Sequence, residues 1–166
     1  MSFGFDYIDS PLGIITITAS EKGITSLLFG RKVYENMSRS HEIQYYLQLC
    51  KKQIEEYFLH QRSLFIIPLD FYGTPFQKKV WTALQNIPYG ETISYKELAI
   101  VIGNEKACRA VGMANNRNPL PIIIPCHRVI GTSGKLIGYA GELWRKEWLL
   151  KYETRMTCMS QSLPNR

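Results

Sequence analysis

SYKELAIVIGNEKACRAVGMAN, residues 94–115, decides the architecture of the second half of the chain. It opens as a capping box. The Ser94 hydroxyl can accept from the backbone three residues on, and the Glu97 carboxylate can reach back to the Ser94 N–H. Leu98, Ala99 and Ile102 give this helix an apolar face, and Gly103 stops it. After Asn104 and Glu105 the pattern resumes, and the spacing of Ala107, Ala110, Val111 and Ala114 predicts another helix over 106–115. Two short helices joined by a tight Gly-containing turn outline a helix-turn-helix, whose second helix usually meets DNA. Small core residues let that helix approach its neighbours closely. Arg109 and Met113 fall off the core stripe. An arginine there is most often a solvated charge, and its partner has to be argued from the rest of the half.

Working upstream, Thr74-Pro75-Phe76-Gln77 starts a preceding helix with an N-cap, a proline at the first position and a second capping box. Phe76, Val80, Leu84 and Ile87 form its stripe, and Pro88-Tyr89-Gly90 ends it. Working downstream, Asn115 to Pro121 is a sharp loop, and then comes PIIIPCHR, residues 121–128. Three isoleucines between two prolines leave no room for a helix and predict a short buried segment. Cys126 ends it, followed by His127, Arg128 and Val129. Thiolate is the reactive form of cysteine, and neighbouring basic groups favour it. Taken alone, Cys126 also reads as a packing cysteine, the commoner fate of the residue. Beyond it, Gly131 to Gly134 is a turn and Gly138 to Gly141 a flexible loop. A helix follows through Leu143, Trp144, Glu147, Trp148 and Leu150 to Glu153, and a polar, frayed tail is expected over 154–166.

The first half reads as a small α+β scaffold. Ile14 to Thr18 and Ile24 to Phe29 are strand-rich and joined by the turn Ser20 to Gly23, with a turn over Asp9 to Gly13 before them. His41 to His60 is helical, with Ile43, Leu47, Cys50, Ile54 and Phe58 on one stripe, and Leu64 to Leu69 reads as a further strand. The expected domains are 1–72, 73–153 and the tail. The charge is uneven. Residues 1–72 carry 7 Lys/Arg against 8 Asp/Glu, whereas residues 73–166 carry 13 against 6. The whole positive excess belongs to the half holding Cys126, which favours a polyanionic partner. No apolar run reaches the roughly 18 residues of a membrane span, and the N-terminus lacks signal-peptide features. The four cysteines form no Cys-x-x-Cys pair, so no metal or redox motif is indicated. A cytoplasmic, reduced protein without a metal is expected.

From Gly90 to Glu153 the chain resembles the O6-alkylguanine-DNA alkyltransferases. The matching pieces are Gly90 to Tyr95, Arg109-Ala110-Val111-Gly112, Asn118-Pro119, Pro125-Cys126-His127-Arg128-Val129, Gly138-Tyr139-Ala140-Gly141 and Lys146 to Leu150. The first half is similar to that family's N-terminal domain in outline. The resemblance implies an α+β protein with a small N-terminal ribonuclease-H-like α/β domain and a mainly helical, winged helix-turn-helix-like C-terminal domain. It implies DNA repair in which O6-alkylated guanine, with O4-alkylated thymine as a further candidate, is flipped out and dealkylated once by Cys126. No cofactor is implied. The partner is double-stranded DNA, held in the minor groove with weak sequence preference by a monomer.

By the same resemblance, His127 takes the thiol proton through a water and Glu153 orients His127. Tyr95 neutralises the departing guanine, and Asn118 holds the turn below the cysteine. Arg109 fills the space of the flipped base, with Ala110, Gly112, Tyr95 and Arg128 completing the DNA-binding set. Val129, Tyr139, Ala140 and Gly141 line the substrate pocket. Without the resemblance, Glu153 reads as a helix-end charge and Tyr95 as a packed core tyrosine. Three other functions are weighed: a non-catalytic lesion binder, which would lack the cysteine, a transcription factor with an incidental thiol, and a cysteine hydrolase.

Overall fold

The computed structural model describes residues 2–139 and 141–161, with only the backbone of 159–161. The chain forms two compact units, Met1–Tyr72 and Gly73–Arg166. In the first, β1 (Phe3–Ser10), β2 (Gly13–Ser20) and β3 (Gly23–Phe29) make an antiparallel sheet in the order β1-β2-β3. α1 (His41–Phe58) buries Ile43, Leu47, Cys50, Ile54 and Tyr57. Contact with the sheet is close, since a Cβ on Gly4 would lie 2.6 Å from the Ile43 side chain.

Two sequence expectations change in this unit. Residues 3–10 form a full strand, so the turn at Asp9 to Gly13 is the β1–β2 hairpin and not a lead-in. Leu64 to Leu69 is not a strand. Pro68 has no N–H to give a ladder, and pairing with β3 is confined to the bridge Ile24↔Leu69. The segment is held instead by the Gln53 side chain, which donates to Ile66 O at 3.0 Å and accepts from Ile66 N at 2.9 Å.

The second unit packs α2 (Pro75–Leu84), α3 (Tyr95–Val101) and α4 (Cys108–Asn116) together, followed by α5 (Leu143–Gln161). Both capping boxes form, at Thr74/Gln77 and at Ser94/Glu97. Trp81, buried in α2, donates its indole N–H to Ala114 O of α4 at 2.8 Å. On α4 the buried residues are Val111, Ala114 and Asn115. Ala110, expected in the core, is exposed, because the buried face of α4 runs through Val111, Ala114 and Asn115. α5 continues past Thr154 to Gln161, where a frayed tail was expected. Thr157 packs against Gly90 at the extended end, so close that a Cβ on Gly90 would collide with its hydroxyl.

One short pairing organises the site. β4 (Ile93–Ser94) and β5 (Val129–Ile130) run parallel, with Ile93 opposite Val129. β4 leads directly into Tyr95, the first residue of α3, and β5 follows directly on the single 3₁₀ turn Cys126–Arg128. Two residues of pairing therefore bring Tyr95 and Cys126 into one neighbourhood from positions 31 apart in sequence.

Candidate active site

Every residue from Leu120 to Val129 is buried. The segment turns sharply. Ile122 has φ 75°, a backbone region that a β-branched residue rarely enters. Asn118 holds that turn from inside, donating to Ile124 O at 2.7 Å and accepting from Leu120 N at 2.9 Å. Ile124 N returns to Leu120 O at 2.8 Å, and Cys126 N bonds to Ile124 O at 2.7 Å. From α4, Asn115 donates to Cys126 O at 3.3 Å. The thiol is thus set by backbone that is fixed on both sides.

Burial pushes the Cys126 thiol up to about 11, against smaller opposing effects from Asn118 and the Lys146 cation. At neutral pH the resting group is a thiol, and reactivity depends on a base. His127 is fully buried and held by burial below its ordinary pKa, with Glu153 opposing and not overcoming that effect. It is neutral at pH 7. Its Nε2 lies 2.8 Å from Glu153 Oε1. A carboxylate only accepts, so Nε2 carries the proton and Nδ1 the lone pair. Nδ1 has no hydrogen-bond partner among the described residues, which leaves it as the basic nitrogen.

Glu153 is saturated. Oε1 accepts from His127 and from Arg128 Nη2 at 2.9 Å, and Oε2 accepts from Arg128 Nε at 2.9 Å and Gly90 N at 3.3 Å. Burial alone would raise its pKa, but His127 and Arg128 outweigh that and hold it well below the carboxylate range. Glu153 is therefore an anion that fixes the imidazole. Arg128 also donates to Ile87 O at 2.6 Å. This corrects the assignment of Arg128 to DNA. Its guanidinium is buried and engaged with Glu153 and Ile87, and it serves the site from inside.

Across from this relay, Tyr95 O–H donates to Ile137 O at 2.6 Å, and burial followed by the charge at Cys126 raises the phenol to about 12. Lys146, quoted in the sequence only as part of a matching stretch and given no site role, has no exposed surface. Its ammonium donates to Ile137 O at 2.9 Å and to Tyr95 Oη at 3.3 Å. Burial lowers it to about 8, with Cys126 acting the other way. Asn115 was likewise missed. The signal for Lys146 was its place one turn from the α5 start, on the same helix as Glu153, although a lysine on a helix usually points to water.

The remaining positions divide. Tyr139 is buried, and burial, then the nearby Cys126, raises its phenol. Val129 is buried and its N–H is bonded to Cys126 O. Gly141 is buried, and Ala140 lies outside the described residues. Arg109 and Ala110 are exposed on α4 with Met113, and Gly112 faces the Tyr95 ring, where a Cβ would rest at 3.8 Å. No group of three or more His, Cys, Asp or Glu among the described residues could hold a metal ion.

Residues 75–155 match the family described as 6-O-methylguanine DNA methyltransferase, DNA binding domain, and residues 5–71 match its ribonuclease-like domain. The chain is 50% identical over 151 residues to the methylated-DNA–protein-cysteine methyltransferase of Methanosarcina barkeri, covering 90% of this chain and 96% of that one. It is 44% identical over 151 residues to the constitutive enzyme of that name from Bacillus subtilis, covering 87% and 92%. The crystal structure of a Mycobacterium tuberculosis relative in complex with DNA superposes with a TM-score of 0.79 at 44% identity, over 91% of this chain and 92% of that one. With both halves matched in order and 50% identity to a relative over 90% of the chain, the chain belongs to the methylated-DNA–protein-cysteine methyltransferase family.

Proposed function

We propose that this protein takes the alkyl group from the 6-oxygen of guanine in DNA and keeps it as a thioether on Cys126, once per molecule. The observation that carries this is the buried relay at Cys126: a neutral imidazole locked by Glu153 through Nε2, with its basic Nδ1 left for a proton. His127 is next to Cys126 in sequence, and adjacent residues rarely meet directly, so the proton travels through one water. As the sulfur–carbon bond forms, the carbon–oxygen bond breaks, and guanine leaves with the electron pair. Tyr95 supplies the proton that neutralises the leaving guanine, and the Lys146 ammonium, bonded to the same phenol oxygen, replaces it. Glu153, Arg128 and Asn118 are positioning residues. O4-alkylated thymine presents the same leaving chemistry and is the second substrate proposed.

The target atom is stacked inside the duplex, so the nucleotide has to rotate out, at a cost of a few kcal/mol. α3 and α4 act as a helix-turn-helix in the minor groove, where readout depends little on sequence. Exposed Arg109 fills the space left by the base, and Tyr139, Gly141 and Val129 border the pocket that receives it. The protein acts as a monomer in the cytoplasm. Mixing it with an oligonucleotide containing O6-methylguanine should add one methyl per molecule, located by intact mass and peptide mapping at Cys126. Cys126→Ser should abolish the gain while retaining duplex binding. A methyl gain in that variant, or turnover beyond one equivalent, would overturn the reading.

A further inference from the structure

Tyr139 and Gly141, at the pocket border, are tied to the start of α5 by contacts that none of the chemistry above uses. Glu142, exposed and not a glycine, has φ 72°, a left-handed conformation disfavoured for residues bearing a Cβ. Its N–H closes a turn onto Tyr139 O at 3.2 Å, and its carbonyl accepts from Arg145 N at 3.2 Å. The carboxylate is held from the helix. Trp144 Nε1 donates to Glu142 Oε2 at 2.8 Å, and Arg145 Nη1 lies 3.9 Å from the same oxygen. Arg145 Nη1 also donates to Gly141 O at 3.0 Å, while its guanidinium lies over the Trp144 ring at 4.6 Å. Two side chains thus converge on one strained residue, whose own N–H holds Tyr139 O, while Arg145 also holds Gly141 O.

We infer that Glu142, Trp144 and Arg145 form a latch that fixes Tyr139 and Gly141 against Cys126 and thereby sets which alkyl groups the pocket admits. The inference rests on the alkyl-transfer reading. The latch acts from outside the pocket, so these three are specificity-determining positioning residues and touch neither thiol nor base. Tightening favours the smallest substituent. Loosening lets the left-handed turn relax, widens the space beside the thiol and admits bulkier groups.

The test uses the whole protein and two probes. The first is a pair of matched duplexes carrying O6-methylguanine or O6-benzylguanine, from which the ratio of the two transfer rates is read. The second is iodoacetamide, which reports access to Cys126 without DNA, measured by peptide mass. Trp144→Ala and Arg145→Ala should each raise the benzyl-to-methyl ratio at least fivefold and speed Cys126 carbamidomethylation at least fivefold. The double variant should do little more than either single one, because the groups act together. Trp144→Phe keeps a ring under Arg145 but loses the bond to Glu142, and should fall between wild type and Trp144→Ala, which covers the case of a poorly folded alanine variant. A ratio and an iodoacetamide rate within twofold of wild type in Trp144→Phe and Arg145→Ala would overturn the latch. Failure of the wild-type protein to accept either alkyl group would instead remove the function reading, and the iodoacetamide rates would still decide whether the three residues control access.

Discussion

Cys126 illustrates why the chemistry needs more than a thiol. Burial holds the sulfur protonated, its pKa near 11, so the protein carries a nucleophile that is inert until a base acts. The base proposed is the open nitrogen of His127, whose ring is oriented by a carboxylate accepting four donors at once. His127→Ala should therefore slow transfer from both duplex O6-methylguanine and free O6-benzylguanine, by about 10²–10⁴-fold, as for loss of a positioned general base. Lys146 adds a pH signature. Its pKa is lowered to about 8, so the ammonium is charged below that pH and lost above it. Titration of the thiol alone would make the rate climb with pH. With the Lys146 charge needed for the leaving guanine, the rate on the free base should instead bend downward as pH rises through about 8. Lys146→Met should be slow throughout and lack that bend. Rate constants from pH 6 to 9.5 check both, and an unbent wild-type profile would remove Lys146 from the proton path.

Among the elements, the 118–126 turn concentrates the cost of building the site. Ile122 carries a strained backbone that persists because its surroundings enforce it, and Asn118 is the enforcing side chain. Asn118→Ala leaves the buried Leu120 N–H without its acceptor and removes one of two donors to Ile124 O, which keeps the Cys126 N–H. Stability should fall by about 1–3 kcal/mol, the cost of one unsatisfied buried group, and urea midpoints would measure it. Ile122→Gly would relax the backbone but lose a buried side chain worth about 1.5–3 kcal/mol, so it should also destabilise. How far the sequence announced these elements depended on whether the signal was local. Both capping boxes are local chemistry, and both helices began where Thr74 and Ser94 placed them. The buried isoleucine segment and Cys50 in the α1 stripe followed from apolar patterning. What was missed depends on distant partners. A two-residue parallel pair has no pattern of its own, yet β4–β5 joins Tyr95 to Cys126. The strand expected at 64–69 ignored Pro68, and the Gln53 side chain that replaces the ladder could not be read from spacing. Arg128 and Lys146 look like surface cations in sequence, and only Glu153, Ile87 and Tyr95 from other elements make their burial possible.

For the whole molecule, the governing quantity is the division of charge between the two units. All the positive excess lies in residues 73–166, with 13 Lys/Arg against 6 Asp/Glu. Arg128 and Lys146 spend two of these cations inside the site, so the face offered to a polyanion rests on exposed residues such as Lys96, Lys106 and Arg109. Affinity for undamaged duplex should fall linearly with salt on a log–log plot, with a slope of about −0.9 per phosphate contacted, and should vary little with sequence. Lys106→Ala should weaken binding uniformly and shift that slope by about one, whereas Lys22→Ala in the near-neutral first unit should leave it unchanged. Arg109 makes a different prediction, because its proposed work is on the base and not the backbone. Arg109→Ala should slow repair of O6-methylguanine in duplex by part of the few kcal/mol that unstacking costs, about 10-fold or more, while barely changing the rate on free O6-benzylguanine, which needs no flipping. Second-order rate constants on the two substrates separate the cases. Equal losses on both would place Arg109 in the pocket or the fold, and a strong preference for one undamaged sequence would make the second unit a sequence-reading module instead.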